Sequence, residues 1–321
     1  MPRTFNMLRS LITTALVAVP AALGQSDMSL SPALQKIISD AASDPKYDYP
    51  TSLTRDIVPK AFHSHNDYWR EVPFYSALKA GAVSVEADVW LYNGTLHVGH
   101  EQSALTDERT LDSLYIEPIL SVLEAQNPNS SFVSGATKNG VYDTSSTQTL
   151  YLFVDLKTDG ATTFPAVIEA LQPLREAGYL TTFDGTTVTQ GPVTVIGTGN
   201  TPLNQVQGVA PRDYFWDAPI PFLSTIYANI TSDVSPIAST NFNVIFPGVR
   251  GTDGLNDLQK VLLAAQVAVA HAKGIKVRYW DQPGWPVGTR NGVWRSLWEG
   301  GVDLLNVDDL EGAANFWEAS G

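Results

Sequence analysis

The chain has 321 residues, a formal net charge of −13 and no cysteine. The acidic balance argues against nucleic acid or an anionic membrane surface as a binding partner. The lack of cysteine excludes disulfide frameworks, cysteine nucleophiles, zinc–thiolate sites and iron–sulfur clusters. The hydrophobic content of 44% fits a well-packed globular protein, and the length allows one large domain, of the size that α/β barrels have, or two modest ones.

Residues 1–24 have the composition of a secretory signal peptide. Arg3 and Arg9 give a basic start, an apolar segment follows, and Ala22 and Gly24 favour cleavage before Gln25. The apolar segment is short for a membrane span, and no later segment has about 18 consecutive apolar residues. We therefore expect a secreted protein without a transmembrane segment. A retained signal anchor, and delivery to the vacuole or the cell wall, are the alternatives.

Three N-glycosylation sequons agree with a secretory route and predict a glycoprotein. They begin at Asn93, Asn129 and Asn229.

Residues 25–57 predict a helical leader before the main domain. Ser31 is a candidate N-cap, and Pro32 suits the first helical position. We place the catalytic domain at residues 58–312 and a C-terminal tail at 313–321.

From residue 61 onward, strand-like and helix-like segments alternate. About eight strand candidates separated by helices favour a closed TIM-type (β/α)8 barrel, in the α/β class, over an open doubly wound sheet. Residues 200–240 are the least regular and hold one or two strands, for which RDYFW and VSPIAST are the candidates. The other predicted strands are AFHSHN, SVEADVWL with TLHVGH returning after Asn93-Gly94, YLFVDLK, VTVIGTG, FNVIFP, IKVRYWDQP and VDLLNVDD.

Glu86 and Asp88 stand in the otherwise apolar strand SVEADVWL and point to the same face because they are two residues apart. Ionised carboxylates away from water need a cation or strong donors. Together with Asp155 they could offer oxygen ligands to Mg²⁺, with Ca²⁺ as the alternative. The alternative is that these acids form ordinary ion pairs at a strand end and have no functional role.

Four of the five histidines lie between residues 61 and 100. His63 and His100 end two strands that bracket the acids, and imidazoles serve as acid and base near neutral pH. The role of His65 is left open. We expect His97 and His271 to be structural.

Two further residues at predicted strand ends suit a substrate. Lys157 shares a face with Asp155 and suits a phosphate oxygen, although a salt bridge to Asp155 is the structural alternative. Trp280 suits a pocket wall, and it is equally suited to the core.

The segments HSHNDY, SVEADVWL, VGH and VDLK together resemble the PLC-like phosphodiesterase superfamily. That superfamily includes glycerophosphodiester phosphodiesterases, phosphatidylinositol-specific phospholipases C and sphingomyelinase D. The likeness is greatest to the fungal altered inheritance of mitochondria protein 6 group, and it covers roughly residues 58–312.

The resemblance implies a TIM-type barrel and a metal-dependent hydrolysis of a small-molecule or lipid phosphodiester. The sequence departs from glycerophosphodiesterases in lacking their H-R-G and E-N-T motifs and in having Glu101 after the second histidine, so the substrate stays open. The implied site residues are His63 and His100 as acid and base, Glu86, Asp88 and Asp155 as metal ligands, Lys157 on the phosphate, Asn66 completing H-x-x-N, and Trp280 in the substrate pocket.

Other functions use the same residues differently. His63-Ser-His65 also fits the H-x-H motif of zinc amidohydrolases, and Asp155 with Asp281 could serve a glycosidase. A catalytically inactive secreted barrel that acts as a binding protein is the non-enzymatic alternative. In every case we expect a monomer.

Overall fold

The computed structural model describes residues 31–133, 135 and 137–316. The chain divides into two compact units, one ending at Asp48 and the other beginning at Tyr49. The predicted signal peptide lies outside the described residues, and so do residues 317–321 of the predicted tail.

The described part of the first unit contains helix α1 (Pro32–Ala41). The Ser31 side chain accepts a hydrogen bond from the Leu34 N–H at 3.2 Å. Pro32 occupies the first turn, where a missing N–H leaves no intrahelical bond unmade. The predicted start of this helix is confirmed. A short 3₁₀ turn follows at Pro45–Tyr47.

The second unit is built around parallel strands. β3 is the antiparallel return of the β2 hairpin, and β5 with β6 form a separate two-stranded ribbon. The strands are β1 (Lys60–Ser64), β2 (Ala82–Tyr92), β3 (Thr95–Val98), β4 (Leu150–Leu156), β5 (Thr182–Phe183), β6 (Val188–Thr189), β7 (Val193–Gly199), β8 (Tyr214–Trp216), β9 (Ala218–Pro219), β10 (Ile237–Asn241), β11 (Lys276–Trp280) and β12 (Leu304–Val307).

The parallel strands follow the order β8-β7-β4-β2-β1-β12-β11-β10-β9. Only Asp217 separates β8 from β9, so the two ends of this order are halves of one interrupted strand. β8 pairs with β7 and β9 pairs with β10, which closes the ring around the core. The interruption has a local cause, because Pro219 has no N–H and the Ala218 N–H bonds the Ser235 side chain instead of a strand. The fold is the TIM-type α/β barrel that the strand count predicts.

Helices follow most of the barrel strands. After β7 and β9 the described chain has only the 3₁₀ turns Leu203–Gln205 and Ile220–Phe222. A π-helical turn at Asp112–Ile116 leads directly into α3. The helices are α2 (Tyr75–Ala80), α3 (Glu117–Gln126), α4 (Gly160–Ala170), α5 (Gln172–Glu176), α6 (Phe242–Ile245), α7 (Asp257–His271), α8 (Val287–Glu299) and α9 (Leu310–Ala314). The helices α2 to α8 lie in sequence between two strands of the ring, and α9 follows the last strand, β12.

One predicted strand is wrong. FNVIFP forms helix α6, and the strand at this position is the preceding segment, β10. The Asn241 side chain accepts a hydrogen bond from the Val244 N–H at 2.9 Å and so starts a helix at Phe242. Val244 is exposed, as the loop end of a barrel unit allows.

Candidate metal-binding site

Three carboxylates converge where β2 and β4 approach their carboxyl ends. In the strand register, Asp88 stands directly beside Asp155, and Glu86 lies one inward-facing position lower on β2. One oxygen from each of the three lies within 4.8 Å of the other two. Glu86 and Asp88 are buried, and Asp155 is half-buried. The three residues predicted as metal ligands are therefore together, and oxygen donors at this spacing suit a hard divalent cation.

The electrostatics of the group point the same way. Burial, together with the charges of Glu86 and Asp155, raises the pKa of Asp88 to about 7. Burial is also the main cause that raises the pKa of Asp155. A bound cation would offset both effects, since it favours the ionised form of each neighbouring carboxylate. The acidic cluster can hold a metal ion.

Lys157 lies at the same end of β4 and contacts two of the acids. Its Nζ is 2.9 Å from an oxygen of Asp88 and 2.9 Å from an oxygen of Asp155. The Lys157 N–H donates to the Val89 carbonyl at 3.0 Å, which ties this end of β4 to β2. Burial alone would lower the pKa of Lys157, but the two carboxylates outweigh it and the pKa is raised. The ammonium group is therefore a fixed positive charge beside the metal ligands.

His100 is held beside the acids by the β2–β3 hairpin. The Gly99 N–H donates to the Asp88 carbonyl at 3.1 Å, and Trp90 Nε1 donates to the Gly99 carbonyl at 2.7 Å. His100 Nδ1 lies 3.1 Å from the Tyr68 hydroxyl and 3.4 Å from Asp88 Oδ2. Both contacts are made by Nδ1 and neither by the other ring nitrogen, Nε2.

Tyr68 is a site residue that the sequence analysis missed. Its hydroxyl donates to Asp88 Oδ2 at 2.7 Å and also contacts the Asn66 side chain. It therefore joins a metal ligand, a cavity asparagine and His100. The HNDY segment is part of the family likeness, but a tyrosine in a loop gives no signal of its own that would separate it from a core aromatic.

His63 lies beneath the acids. Its side chain is fully buried, Nδ1 is 2.7 Å from Ser84 Oγ, and Nε2 is 3.5 Å from Glu86 Oε2. The ring packs edge-on against Phe153. Burial, followed by the positive charge of Arg278, lowers the pKa of His63 to about 3. The ring is therefore neutral at ordinary pH and is shielded from solvent by the surrounding protein.

His65 occupies a higher level than His63, just past the end of β1. Its Nδ1 lies 2.8 Å from Asp308 Oδ1, and Nε2 is 3.9 Å from Glu86 Oε2. Burial opposes a charge on the ring, but the hydrogen bond to Asp308 and the charge of Glu86 outweigh it, so the pKa of His65 is raised. The Arg70 guanidinium donates to the carbonyls of His65 and Asp308 at 2.9 and 2.6 Å and fixes both loops.

Asn66 follows in a left-handed conformation, with φ of 48°. This turn aims its N–H at Glu86 Oε2, at 3.0 Å. Asparagine is less strained in this conformation than most residues, so it suits the turn that follows β1.

These groups surround a cavity of about 290 Å³ at the carboxyl ends of the strands, which we call the carboxylate cavity. Every predicted site residue lines it except His63. Four lining residues were outside the predicted set: His65, Thr198, Gly199 and Arg278. The lining residues are His65, Asn66, Glu86, Asp88, His100, Asp155, Lys157, Thr198, Gly199, Arg278 and Trp280.

Comparison with known proteins identifies the family of this chain. Residues 51–217, which include the three carboxylates and both cavity histidines, match the family described as the AIM6-like phosphodiesterase domain. The chain belongs to this family. The altered inheritance of mitochondria protein 6 homolog of Arthroderma benhamiae is 50% identical over 312 residues, which cover 94% of this chain and 98% of that protein. The altered inheritance of mitochondria protein 6 of Eremothecium gossypii is 37% identical and matches 85% of this chain and 74% of its own length.

Among solved structures, a glycerophosphoryl diester phosphodiesterase of Parabacteroides distasonis is similar over 83% of this chain and 88% of its own, with 11% identity and a TM-score of 0.45. Within the described residues of this AIM6-like chain, no helix is both long enough and apolar enough to span a bilayer.

Proposed function

We propose that this AIM6-like chain is a secreted phosphodiesterase that needs a divalent metal ion, Mg²⁺ with Ca²⁺ as the alternative. One observation carries the proposal. A single cavity holds three carboxylates with oxygens within 4.8 Å of one another, a lysine and two histidines, at the strand ends where barrel active sites lie. The family name and the chemistry of these groups support the same reaction class.

Glu86, Asp88 and Asp155 would hold the metal ion, which when bound neutralises charge on the non-bridging phosphate oxygens. Lys157 adds a positive charge where negative charge grows in the transition state. Its position beside Asp88 and Asp155 supports binding of the phosphate close to the proposed metal ion. Trp280 is partly exposed and lines the mouth, where it would pack on an organic group of the substrate.

We assign the base to His65 rather than to His63. His65 lines the cavity, whereas His63 is fully buried beneath it with a low pKa. His65 would take a proton at Nε2 from the attacking oxygen, and Asp308 would stabilise the resulting imidazolium through Nδ1. The attacking oxygen belongs either to water or to a hydroxyl of the substrate.

His100 would act as the acid. Its Nδ1 faces Tyr68 and Asp88, so Nε2 is the atom that can deliver a proton to the leaving oxygen. The two histidines follow different strands, His65 after β1 and His100 after β3. Each lies beside a different carboxylate, His65 near Glu86 and His100 near Asp88, so the base and the acid would act from different positions in the cavity.

The test is hydrolysis by the purified protein of glycerophosphodiesters, lysophospholipids, phosphatidylinositol and a chromogenic diester. Each would be measured with Mg²⁺, with EDTA and with His65→Ala. Turnover that needs both the metal and His65 supports the proposal. A folded protein that binds Mg²⁺ but hydrolyses none of them would favour an inactive barrel that serves as a binding protein.

Secretion is proposed on two grounds. The first 24 residues have the composition of a signal peptide, and the asparagines of all three sequons, Asn93, Asn129 and Asn229, are exposed. Expression of the full chain in a fungal host should give a protein in the medium that begins near Gln25 and loses mass on endoglycosidase treatment. Retention of the intact chain inside the cell, without glycan, would contradict secretion.

A further inference from the structure

Arg278 is a buried cation in the wall of the carboxylate cavity. It lies in the middle of β11, between Val277 and Tyr279, and only 2% of its surface is exposed. It nevertheless lines the cavity. Its guanidinium lies over the ring of Phe153, 4.5 Å from the centroid, and so faces the barrel interior. A buried charge of this kind needs a partner or a ligand.

The hydrogen bonds of Arg278 go to neutral side chains. Nε donates to Ser239 Oγ at 3.0 Å and Nη1 donates to Asn306 Oδ1 at 2.9 Å. The nearest acid is Asp217, with an oxygen 3.6 Å from Nη2, which is an ion pair beyond hydrogen-bond distance. A guanidinium has five N–H groups. The described residues therefore orient the fork from two sides and leave part of its donor capacity unused.

Lys157 differs in this respect. Its ammonium group already contacts Asp88 and Asp155, both at 2.9 Å. A phosphate group that reaches the cavity would compete with those carboxylates for Lys157, whereas it would meet uncommitted donors on Arg278. Planar paired donors also match two oxygens of one phosphate, which an ammonium group cannot do.

The positions of the two cations are complementary. In the ring order, β2, β1 and β12 separate the Lys157 strand, β4, from the Arg278 strand, β11. The two charges therefore approach the cavity from different walls. Trp280 lies two residues beyond Arg278 on the same face of β11, roughly 6–7 Å nearer the mouth.

We propose that Arg278 binds a phosphoryl oxygen of the substrate from β11, across the cavity from Lys157 on the β4 side. The substrate is then oriented with its phosphate at the level of Arg278 and the acids, and with an organic group against Trp280. This assignment rests on the proposed phosphodiesterase function, because it names the anion that the cavity receives. The alternative is that Arg278 serves only as a structural counterion of Asp217.

The experiment measures binding of inorganic phosphate to the purified, Mg²⁺-loaded protein by titration calorimetry. The variants are Arg278→Gln, Arg278→Lys and the control Arg290→Gln. Arg290 is a suitable control because it is also buried, pairs with Asp309 and Trp294, and does not line the carboxylate cavity. Thermal unfolding and Mg²⁺ affinity are measured on each variant as readouts of structural damage.

We expect Arg278→Gln to weaken phosphate binding at least about tenfold, as loss of a charge-assisted contact does. Mg²⁺ affinity should be unchanged or higher, since a nearby positive charge has been removed. The phosphate affinity of Arg278→Lys should lie between those of the wild type and Arg278→Gln, because lysine keeps the charge and lacks the paired donors of the guanidinium. Arg290→Gln should bind phosphate like the wild type.

Equal phosphate affinity in Arg278→Gln and wild type would overturn the assignment, as would a wild-type protein that binds Mg²⁺ but no phosphate. If Arg278→Gln does not fold, the test is made with Arg278→Lys. A folded Arg278→Lys that binds phosphate as tightly as the wild type would also overturn the assignment. Failure of the proposed function gives a different pattern. In that case phosphate binding depends on Arg278, but the wild type hydrolyses no diester.

Discussion

His65 and Asp308 form a hydrogen bond of 2.8 Å that joins the loop after β1 to the loop after β12. These two strands are neighbours in the barrel, so the contact lies across the point where the first and last strands meet. It fixes the His65 ring by Nδ1, and Arg70 fixes the backbone of both residues. The cavity histidine is therefore held from two separate segments of the chain.

This contact predicts a pH dependence of stability. The pKa of His65 is raised in the folded protein, so the pair stabilises the fold fully below the ordinary value of 6.5 and loses its effect as pH rises through the folded-state pKa. Asp308→Asn should lower the unfolding free energy at pH 5.5 by about 0.5–1 kcal/mol, and by less at pH 9. Denaturant unfolding in EDTA at both pH values measures this. A larger loss at pH 9 would contradict it.

The two neighbouring histidines should respond differently to substitution. His65→Gln should reduce kcat by roughly 10²–10⁴-fold, the usual contribution of a positioned acid or base, with little change in Tm. His63→Gln should instead lower the unfolding free energy by about 1–3 kcal/mol, because it disturbs a fully buried hydrogen bond to Ser84. Kinetics and unfolding of both variants decide the matter. A folded His63→Gln without activity, beside an active His65→Gln, would restore the role that the sequence pattern gives to His63.

The histidines also show what a sequence can and cannot specify. His63 and His65 are two residues apart, so alternation places both on the same face. Alternation does not give the depth of a residue along the barrel. The register does, since His63 pairs with Ser84, one inward-facing position below Glu86. Depth depends on how strands align with each other, and that is set by packing of the whole barrel.

The acids could be predicted because their signal does not depend on depth along the barrel. Glu86 and Asp88 interrupt an apolar strand, and a charge in such a strand signals a site wherever the strand lies. The same signal is present in Arg278, which stands between Val277 and Tyr279 but is not among the predicted site residues. The strand at 214–219 was harder to recognise, because Asp217 and Pro219 divide it into two short pieces.

Tyr68 should affect the rate of turnover without being essential for it. Tyr68→Phe removes a hydroxyl that contacts Asp88 and His100, so we expect kcat to fall roughly tenfold and the unfolding free energy by about 1–2 kcal/mol. The control is Tyr142→Phe, whose buried hydroxyl donates to the Ala82 carbonyl at 2.6 Å and does not line the cavity. It should lose similar stability and keep kcat. Equal kcat values for the two variants would show that the Tyr68 hydroxyl has no part in turnover.

Asp88 should oppose folding when the metal is absent and support it when the metal is bound. The folded-state pKa of about 7 exceeds the ordinary 3.8, so ionisation of Asp88 destabilises the metal-free fold as pH rises between these values. The full effect corresponds to up to roughly 4 kcal/mol. In EDTA at pH 8, Asp88→Asn should therefore unfold at a higher temperature than the wild type, and at pH 5 this advantage should shrink.

With Mg²⁺ the order should reverse. At a hundredfold excess over Kd, a bound ion adds about 2.7 kcal/mol to the wild type, and Asp88→Asn should gain much less because it lacks one ligand. Thermal unfolding of both proteins, with and without Mg²⁺ at pH 5 and pH 8, measures every part of this. Asp112→Asn is the control, since Asp112 is a carboxylate outside the carboxylate cavity, and it should gain as much as the wild type. Equal stabilisation of Asp88→Asn and Asp112→Asn by Mg²⁺ would remove Asp88 from the metal ligands.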